Sequence, residues 1–319
     1  TTGGTFIASE LEKRLADFKH SESALVFNTG YMTNLGILYG LLQTGDVVFS
    51  DELNHASIID GCRISRCKVV VYKHNDMADL QRLLETEIVT GQRFIVTDGV
   101  FSMDGDIADL PSLAVLKKQF NACLIVDDAH GVGVIGNDGS GTASHYGLTD
   151  VIDLQVGTLS KALAAEGGYV GGKKIFIGYY INRSRPFIFS TALAPATLAA
   201  ANAALLLLQT QASKYLDSLR ANSRLMRRLL LEGGLNVVEG ITPIIPVVIG
   251  EAGLTMQFAD RLKSKGILVS GIRPPTVPRG ESRLRITVTA AHCEEQLRQA
   301  AQIITALWQE LKHGEKKEG

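Results

Sequence analysis

The chain has 319 residues, 45% of them hydrophobic, and its 32 lysines and arginines nearly balance 33 aspartates and glutamates. The resulting net charge of −1 provides no broad positive potential, so we expect neither nucleic acid nor an anionic membrane surface as a partner. The length exceeds one ordinary hydrophobic core and predicts two domains, 1–212 and 213–319, with a boundary near Ala212.

Cysteine usage and hydropathy narrow the class of protein further. The four cysteines form no CxxC pair and have no zinc-ligand spacing to histidine, so we expect no metal site. The most apolar run, residues 198–208, is short and interrupted by Asn202, which is typical of a buried helix rather than a membrane span. With no signal-peptide pattern at its start, the chain is expected to be cytoplasmic.

Strand-like and helix-like patterns alternate through the first two thirds of the chain. Strands are predicted at residues 24–27, 47–50, 69–72, 93–97, 123–126, 151–156, 167–172 and 186–191, with helices at 35–42 and 80–84. The alternation indicates βαβ units, and therefore an α/β fold with a mainly parallel sheet in the large domain.

The last third of the chain has a different pattern. A long apolar helix starting at about Leu193 leads into an amphipathic helix at 215–231. Beyond it we predict strands at 246–249, 267–270 and 284–288 and helices at 254–263 and 293–311. This order predicts a small α+β domain at the C-terminus.

Two polar stretches follow predicted strands and carry reactive side chains. The sequence VGTLSKA at 156–162 places Lys161 among small and hydroxylated residues, as a Schiff-base lysine beside a phosphate requires. The sequence CLIVDDAHG at 123–131 carries a strand into Asp127, Asp128 and His130. An aspartate at the carboxyl end of a parallel strand can pair with the ring nitrogen of a cofactor. Alone, each stretch fits an ordinary loop; together, they indicate a cofactor site.

Two glycine-containing stretches have features of anion-binding turns. The sequence NTGYMTN at 28–34 leads into a helix, whose first N–H groups can bind phosphate. The sequence GVGVIG at 131–136 fits the dinucleotide pattern, but the loop NDGSG follows it instead of a helix. The first turn therefore fits a phosphate site and a plain strand-to-helix loop equally well, and the second gives no reason to expect a nicotinamide cofactor.

Four motifs resemble those of the α-oxoamine synthases, which are pyridoxal-phosphate enzymes of fold type I: NHAS at 54–57, TDGVFSMDGD at 97–106, VDDAHG at 126–131 and GTLSKA at 157–162. The resemblance runs nearly end to end, and IRPPTVP at 272–278, SRLR at 282–285 and TAAH at 289–292 are most similar to the biotin-pathway branch. It implies pyridoxal 5'-phosphate as cofactor, an amino acid and an acyl-CoA or acyl carrier protein as substrates, and a homodimer. In this branch the expected reaction is the decarboxylative condensation of L-alanine with a pimeloyl thioester.

The resemblance also implies a role for individual residues. Lys161 would carry the cofactor, Asp127 would pair with its ring nitrogen and His55 would stack over its ring. Further cofactor contacts are implied at Gly30, Tyr31, Ser102, His130 and Thr158, and from the neighbouring subunit at Ser190 and Thr191. The substrate carboxylate is expected at Arg285, with Arg273 and Thr276 beside the substrate.

The chain departs from the family pattern at two positions and leaves several functions open. The family commonly has histidine where Ala8 stands and glycine where Ala164 stands, and we expect an additional N-terminal segment before Thr1. Glycine C-acetyltransferase and the serine or glycine acyltransferases of lipid or haem pathways share the same catalytic set. A catalytically silent partner subunit is disfavoured because Lys161 is present, and an aminotransferase because the C-terminal arginine motif fits it less well.

Overall fold

The computed structural model describes residues 4–315. The chain forms two compact units. The first unit reaches to Phe101 and resumes from Ile107 to Ser213, and the second consists of Ser102–Asp106 and the chain from Lys214 onward. The segment Ser102–Asp106, which the sequence analysis assigned to the large domain, therefore groups with the second unit.

The first unit is built on a seven-stranded sheet. Its strands are β1 (Ser23–Phe27), β2 (Val47–Asp51), β3 (Lys68–Tyr72), β4 (Arg93–Asp98), β5 (Ala122–Asp127), β6 (Leu154–Thr158) and β7 (Gly168–Gly172). They lie in the order β1-β7-β6-β5-β4-β2-β3. Strands β2 to β6 run parallel, and β7 is antiparallel to both β1 and β6. The predicted mainly parallel α/β fold is confirmed.

Helices cover this sheet on both faces. The helices of this part of the chain are α1 (Phe6–Phe18), α2 (Gly30–Leu41), α3 (Ala56–Ile64), α4 (Met77–Thr86), α5 (Leu110–Gln119), α6 (Thr142–His145), α7 (Lys174–Arg183) and α8 (Arg185–Ile188). They are followed by α9 (Pro195–Glu232), which is interrupted at Gln211 and continues into the second unit from Lys214. Successive strand residues point to opposite faces, so Val47 and Phe49 of β2 enter one core while Val48 enters another. Burial on both faces explains why the strands read as continuous apolar runs in the sequence.

One predicted strand of this unit was wrong. Residues 186–191 contain no strand, because Arg185–Ile188 forms the short helix α8. Pro186 suits the first turn of a helix, where its missing N–H has no helical partner to lose. Phe187 packs edge-on against Phe27, with ring centroids 5.8 Å apart, so the aromatic residues serve helix packing rather than a sheet.

The second unit contains a three-stranded antiparallel sheet in the order β8-β10-β9. The strands are β8 (Ile244–Gly250), β9 (Ser270–Ile272) and β10 (Ser282–Thr287), and α10 (Ala252–Ser264) and α11 (Glu294–Glu315) accompany them. The predicted strand at 267–270 lies three residues further on, as β9. Within residues 4–315, no helix has the length and apolarity that crossing a membrane demands.

Candidate active site

Polar residues collect at the carboxyl ends of the central parallel strands. Asp98 ends β4, Asp127 ends β5 and Thr158 ends β6, while His55 follows β2. The register pairs Asp98 with Asp127 directly. Parallel strands bring their carboxyl ends to one edge, where open α/β sheets bind ligands.

Asp127 is held by hydrogen bonds from two different elements. Its side chain is 6% exposed, and its two oxygens accept from Asn34 Nδ2 at 2.6 Å and from the backbone N–H of Ala129 at 3.0 Å. The same amide group of Asn34 donates to Ser57 Oγ at 2.9 Å, and Ser57 Oγ lies 2.8 Å from His55 Nδ1. Asn34 and Ser57 are fully buried. A continuous chain of hydrogen bonds thus connects the carboxylate to the exposed histidine.

His55 caps helix α3, and this contact fixes its ring. The backbone N–H of Ser57 donates to Nδ1 at 3.3 Å, so Nδ1 acts as an acceptor and the proton of the neutral ring is on Nε2. The backbone N–H of His55 donates to Asp98 Oδ2 at 3.1 Å. A ring that is anchored at one nitrogen and otherwise exposed can stack on a flat ligand.

Lys161 lies in the turn that follows β6, where its Nζ is 2.9 Å from His130 Nε2. The turn is closed by backbone hydrogen bonds from Ala164 to Lys161 and from Ala165 to Leu159, at 3.1 and 2.9 Å. Ala164 has φ = +49°, in the left-handed region. The family glycine at this position therefore has a conformational reason, and alanine strains the backbone there.

The start of α2 and the end of β6 form a candidate anion site. Gly30 begins the helix, and a Cβ added to it would lie only 3.2 Å from Thr158 Oγ1. Thr158 Oγ1 is in turn 2.8 Å from Ser160 Oγ. Helix N–H groups and hydroxyls are donors of the kind that bind phosphate. Thr158 Oγ1 donates here to the Gly167 carbonyl at 3.0 Å, so its proton would turn toward a bound phosphate. Tyr31, beside Gly30, extends its hydroxyl to Asp60 on α3.

Asp98 was not singled out by the sequence analysis, and neither were Asn34 and Ser57. Burial raises the pKa of Asp98 well above its usual range, and the nearby charge of Asp127 adds to this, while the His55 N–H and Lys161 oppose it. Its place directly after a strand, like that of Asp127, was the signal that could have identified it. Among residues 4–315, no group of three or more His, Cys, Asp or Glu is arranged to hold a metal ion.

Four of the predicted site residues lie in the second unit. Arg285 donates from Nε to the carbonyl of Ser102 and from Nη1 to Thr287 Oγ1 at 3.1 Å, and burial lowers its pKa. Its neighbour Arg283 is ion-paired with Asp104 and Glu281. Within the described residues, Arg285 has no carboxylate partner, whereas Arg283 has two.

The loop between β9 and β10 carries the other two predicted substrate residues. Arg273 and Thr276 are both exposed there, and the Thr276 N–H donates to the Arg273 carbonyl at 3.1 Å. Both side chains are therefore accessible to a ligand from solvent.

Ser190 and Thr191 follow α8 in the first unit. Ser190 Oγ is 3.9 Å from Met32 Sδ, and the carbonyl of Thr191 accepts from Asn28 Nδ2. Ser190 therefore lies against the first turn of α2 and Thr191 against the segment before it, and Thr191 is exposed.

The family model for aminotransferase class I and II matches residues 1–304, and the chain belongs to this family. Among curated relatives, 8-amino-7-oxononanoate synthase of Lysinibacillus sphaericus is 50% identical over 297 residues, which cover 93% of this chain and 76% of the relative. The enzyme of the same name from Geobacter sulfurreducens is 50% identical over 97% of this chain and 80% of the relative.

Solved structures give the same fold. A serine palmitoyltransferase from S. paucimobilis with a bound PLP–myriocin aldimine matches with a TM-score of 0.94 at 31% identity, covering 97% of this chain and 78% of that chain. An 8-amino-7-oxononanoate synthase from Francisella tularensis matches with a TM-score of 0.84 at 31% identity, covering 98% of this chain and 90% of that chain. The fold type I prediction is confirmed by these matches.

Proposed function

We propose that the protein binds pyridoxal 5'-phosphate and condenses L-alanine with a pimeloyl thioester to form 8-amino-7-oxononanoate, coenzyme A or a free carrier protein, and carbon dioxide, in biotin biosynthesis. The observation that carries this proposal is the 45–50% identity to enzymes of that name over 91–98% of the chain. We further propose a homodimer located in the cytoplasm.

The donor set at the sheet edge fits this cofactor. A phosphate suits the N–H groups at Gly30 and the hydroxyls of Thr158 and Ser160, and the buried carboxylate of Asp127 suits a protonated ring nitrogen. Lys161 would provide the amine for covalent attachment. When bound, the cofactor supplies an electron-withdrawing ring that stabilises negative charge at the amino-acid Cα.

Other residues of the site would orient Asp127, transfer a proton and cover the ring. Asn34 and Ala129 keep the carboxylate of Asp127 in one orientation, because each occupies one of its oxygens. Lys161 would move the proton at the substrate Cα, and His130 at 2.9 Å can accept a hydrogen bond from its amine. His55 would cover one face of the bound ring.

Substrate recognition is assigned to cationic and polar residues of the second unit. Arg285 is the proposed carboxylate ligand, since its guanidinium is bonded to a carbonyl and a hydroxyl rather than to an acid. Arg273 and Thr276 would lie beside the substrate, and Ser102 beside the cofactor. Ser190 and Thr191 would complete the phosphate site of the neighbouring subunit.

A substrate matrix tests the proposed reaction. Coenzyme A release is measured with alanine, glycine and serine, each against pimeloyl-CoA, acetyl-CoA and palmitoyl-CoA. We expect the highest kcat/KM for L-alanine with pimeloyl-CoA. One methyl group is worth roughly 1–3 kcal/mol, so the preference for alanine over glycine should be about 10- to 200-fold rather than absolute.

Two other outcomes would reassign the substrates. Serine with a long acyl chain is the second candidate, because a serine palmitoyltransferase shares the fold at 31% identity. Highest turnover with serine and palmitoyl-CoA would establish that reaction instead. Highest turnover with glycine and acetyl-CoA would identify a glycine C-acetyltransferase.

Mixed dimers test whether active sites are shared between subunits. A Lys161→Ala chain and a Thr191→Ala chain, each impaired alone, are refolded together and the mixed dimers isolated. Recovery of activity would support shared sites, because one of the two sites in each mixed dimer then has both residues intact. Mixed dimers without recovered activity would contradict the assignment of Thr191.

A further inference from the structure

Lys19 and Asp128 form an ion pair in the interior of the first unit. Each residue is 1% exposed, and Lys19 Nζ lies 3.0 Å from Asp128 Oδ2. Lys19 Nζ also donates to the carbonyl of Ser140, and the Lys19 carbonyl accepts from Gln155 Nε2 at 3.0 Å. Removing two charges from water costs several kcal/mol per ion, so such a pair is a weak source of stability and needs another explanation.

Besides Lys19, the side chain of Asp128 is hydrogen-bonded to Thr142. Its oxygens accept from the Thr142 N–H at 2.9 Å and from Thr142 Oγ1 at 2.9 Å. A Cβ on Gly131 would lie 2.0 Å from one carboxylate oxygen, and a Cβ on Gly141 would lie 1.8 Å from the other. The carboxylate therefore occupies space that exists only because both positions are glycine.

The backbone of Asp128 is fixed as firmly as its side chain. Its N–H donates to the carbonyl of Val156 at 2.9 Å, and its carbonyl accepts from the N–H groups of Gly131 and Val132 at 2.9 and 3.0 Å. Asp127 lies immediately before this residue and His130 two residues after it. Any displacement of Asp128 would move both candidate cofactor contacts.

We propose that the Lys19–Asp128 pair positions Asp127 and His130 by holding the turn at residues 127–131, and that it neutralises the second of two adjacent carboxylates. Resting on the cofactor chemistry proposed above, this makes Lys19 a positioning residue, since its amine contacts Asp128 and Ser140. With the charge of Asp128 matched by Lys19, Asp127 is the carboxylate of this turn that remains to pair with a cationic ring nitrogen.

Lys19→Met tests the proposal, and Lys117→Met is its matched control. Lys117 has the same kinds of partner, because its Nζ lies 2.8 Å from Asp153 Oδ2 and donates to the Val151 carbonyl. Asp153 immediately precedes β6, at the end of the sheet opposite Asp127. The dissociation constant of pyridoxal 5'-phosphate from the apoprotein and the values of kcat and KM for L-alanine are measured at a temperature where all variants are folded.

We expect Lys19→Met to weaken cofactor binding by on the order of 10-fold and to lower kcat by a similar factor at nearly unchanged KM. Lys117→Met should lower the melting temperature while leaving the cofactor dissociation constant and kcat within about twofold. Equal cofactor affinity and kcat in the two variants would overturn the proposal. A wild-type protein that binds no cofactor would instead reject the proposed function.

The double variant Lys19→Met/Asp128→Asn removes both charges and leaves no unpaired ion in the core. If Lys19→Met does not fold, the cofactor affinity and kcat are measured on this double variant instead. Replacing both members of a buried ion pair by neutral groups lowers the free energy of unfolding far less than removing one member. We expect part of the lost stability to return while the cofactor dissociation constant stays raised. Full recovery of cofactor affinity with stability would show that the pair is only structural.

Discussion

The turn after β5 and the turn after β6 deliver the two central side chains of the site by different means. In the first, Asp127 is bonded by Asn34, and Asp128 is pinned by Lys19 at its side chain. In the second, Lys161 meets His130, and the backbone passes through a left-handed alanine at Ala164. Backbone and side-chain hydrogen bonds close both turns. The first turn adds a buried ion pair, and the second adds a strained residue at Ala164.

This difference follows from what each residue is proposed to do. A carboxylate that faces one ring atom benefits from a fixed position, because electrostatic stabilisation depends on preorganised groups. A lysine that must be bonded to the cofactor at one stage and transfer a proton at another needs freedom to move. The buried ion pair of the first turn and the strained residue of the second fit these two proposed roles.

Replacing Lys161 should have the largest effect. Lys161→Ala removes the proposed covalent attachment and the base, so we expect kcat to fall by roughly 10⁴-fold or more and the visible absorbance of the bound cofactor to be lost. Borohydride reduction followed by peptide mapping checks the assignment. A cofactor adduct at one unique peptide in the variant would place the reactive amine elsewhere.

Asp127→Asn should have the next largest effect, about 10²- to 10³-fold in kcat, because the amide cannot hold a positive charge on the ring nitrogen. Cofactor should still bind, since the phosphate donors at Gly30 and Thr158 are untouched. Activity and cofactor content are measured on the same preparation. Nearly normal kcat in Asp127→Asn would show that Asp127 does not pair with the ring nitrogen.

Asp98→Asn distinguishes the role of Asp98 from that of the neighbouring Asp127. Burial favours the neutral form of Asp98, which an amide imitates, so we expect the loss in kcat to be smaller than for Asp127→Asn. Because the folded-state pKa of Asp98 is raised above the unfolded value of about 3.9, the folded state holds the proton longer. The stabilisation that protonated Asp98 gives the folded state is therefore fully present below about pH 3.9, the unfolded-state pKa, and is lost as the pH rises toward the folded-state pKa.

The Asp98→Asn variant should accordingly gain stability relative to the wild type as the pH rises above about 4. Urea unfolding at several pH values measures the difference in free energy of unfolding. A difference that stays constant with pH would mean that the pKa of Asp98 is the same in the folded and unfolded states.

The sequence predicted the strands that carry Asp127 and Lys161, because apolar runs ending in polar residues are a local signal. It did not predict the link from Asn34 to Ser57, or Lys19 to Asp128, since these pairs are 23 and 109 residues apart. Local sequence does not distinguish a buried lysine from an exposed one. It also could not show which of the adjacent carboxylates faces the site.

The incorrect strand at 186–191 has a related cause. Phe187, Ile188 and Phe189 have the preference for strands that aromatic and β-branched residues share. A helical turn forms there instead, because Phe187 packs against Phe27, a contact that sequence position does not reveal. Tertiary packing therefore decided an element that local preference left open.

The smallest expected effect concerns the strained turn itself. An L-residue in the left-handed region costs roughly 1–2 kcal/mol, while glycine adds about 0.5–1 kcal/mol of backbone entropy to the cost of folding. Ala164 is exposed, so its methyl group contributes little buried surface. Ala164→Gly should therefore raise the free energy of unfolding by about 0.5–1 kcal/mol.

Ala199→Gly in α9 is the matched control, because Ala199 is exposed and helical and the same change there should lower stability by about 1 kcal/mol. Urea unfolding of both variants and the wild type checks the opposite signs. A loss of stability in both would mean that backbone entropy outweighs the strain at Ala164. Unchanged kcat in a stabilised Ala164→Gly variant would show that Lys161 needs the shape of this turn but not its strain, whereas reduced kcat would connect the strain to the movement of Lys161.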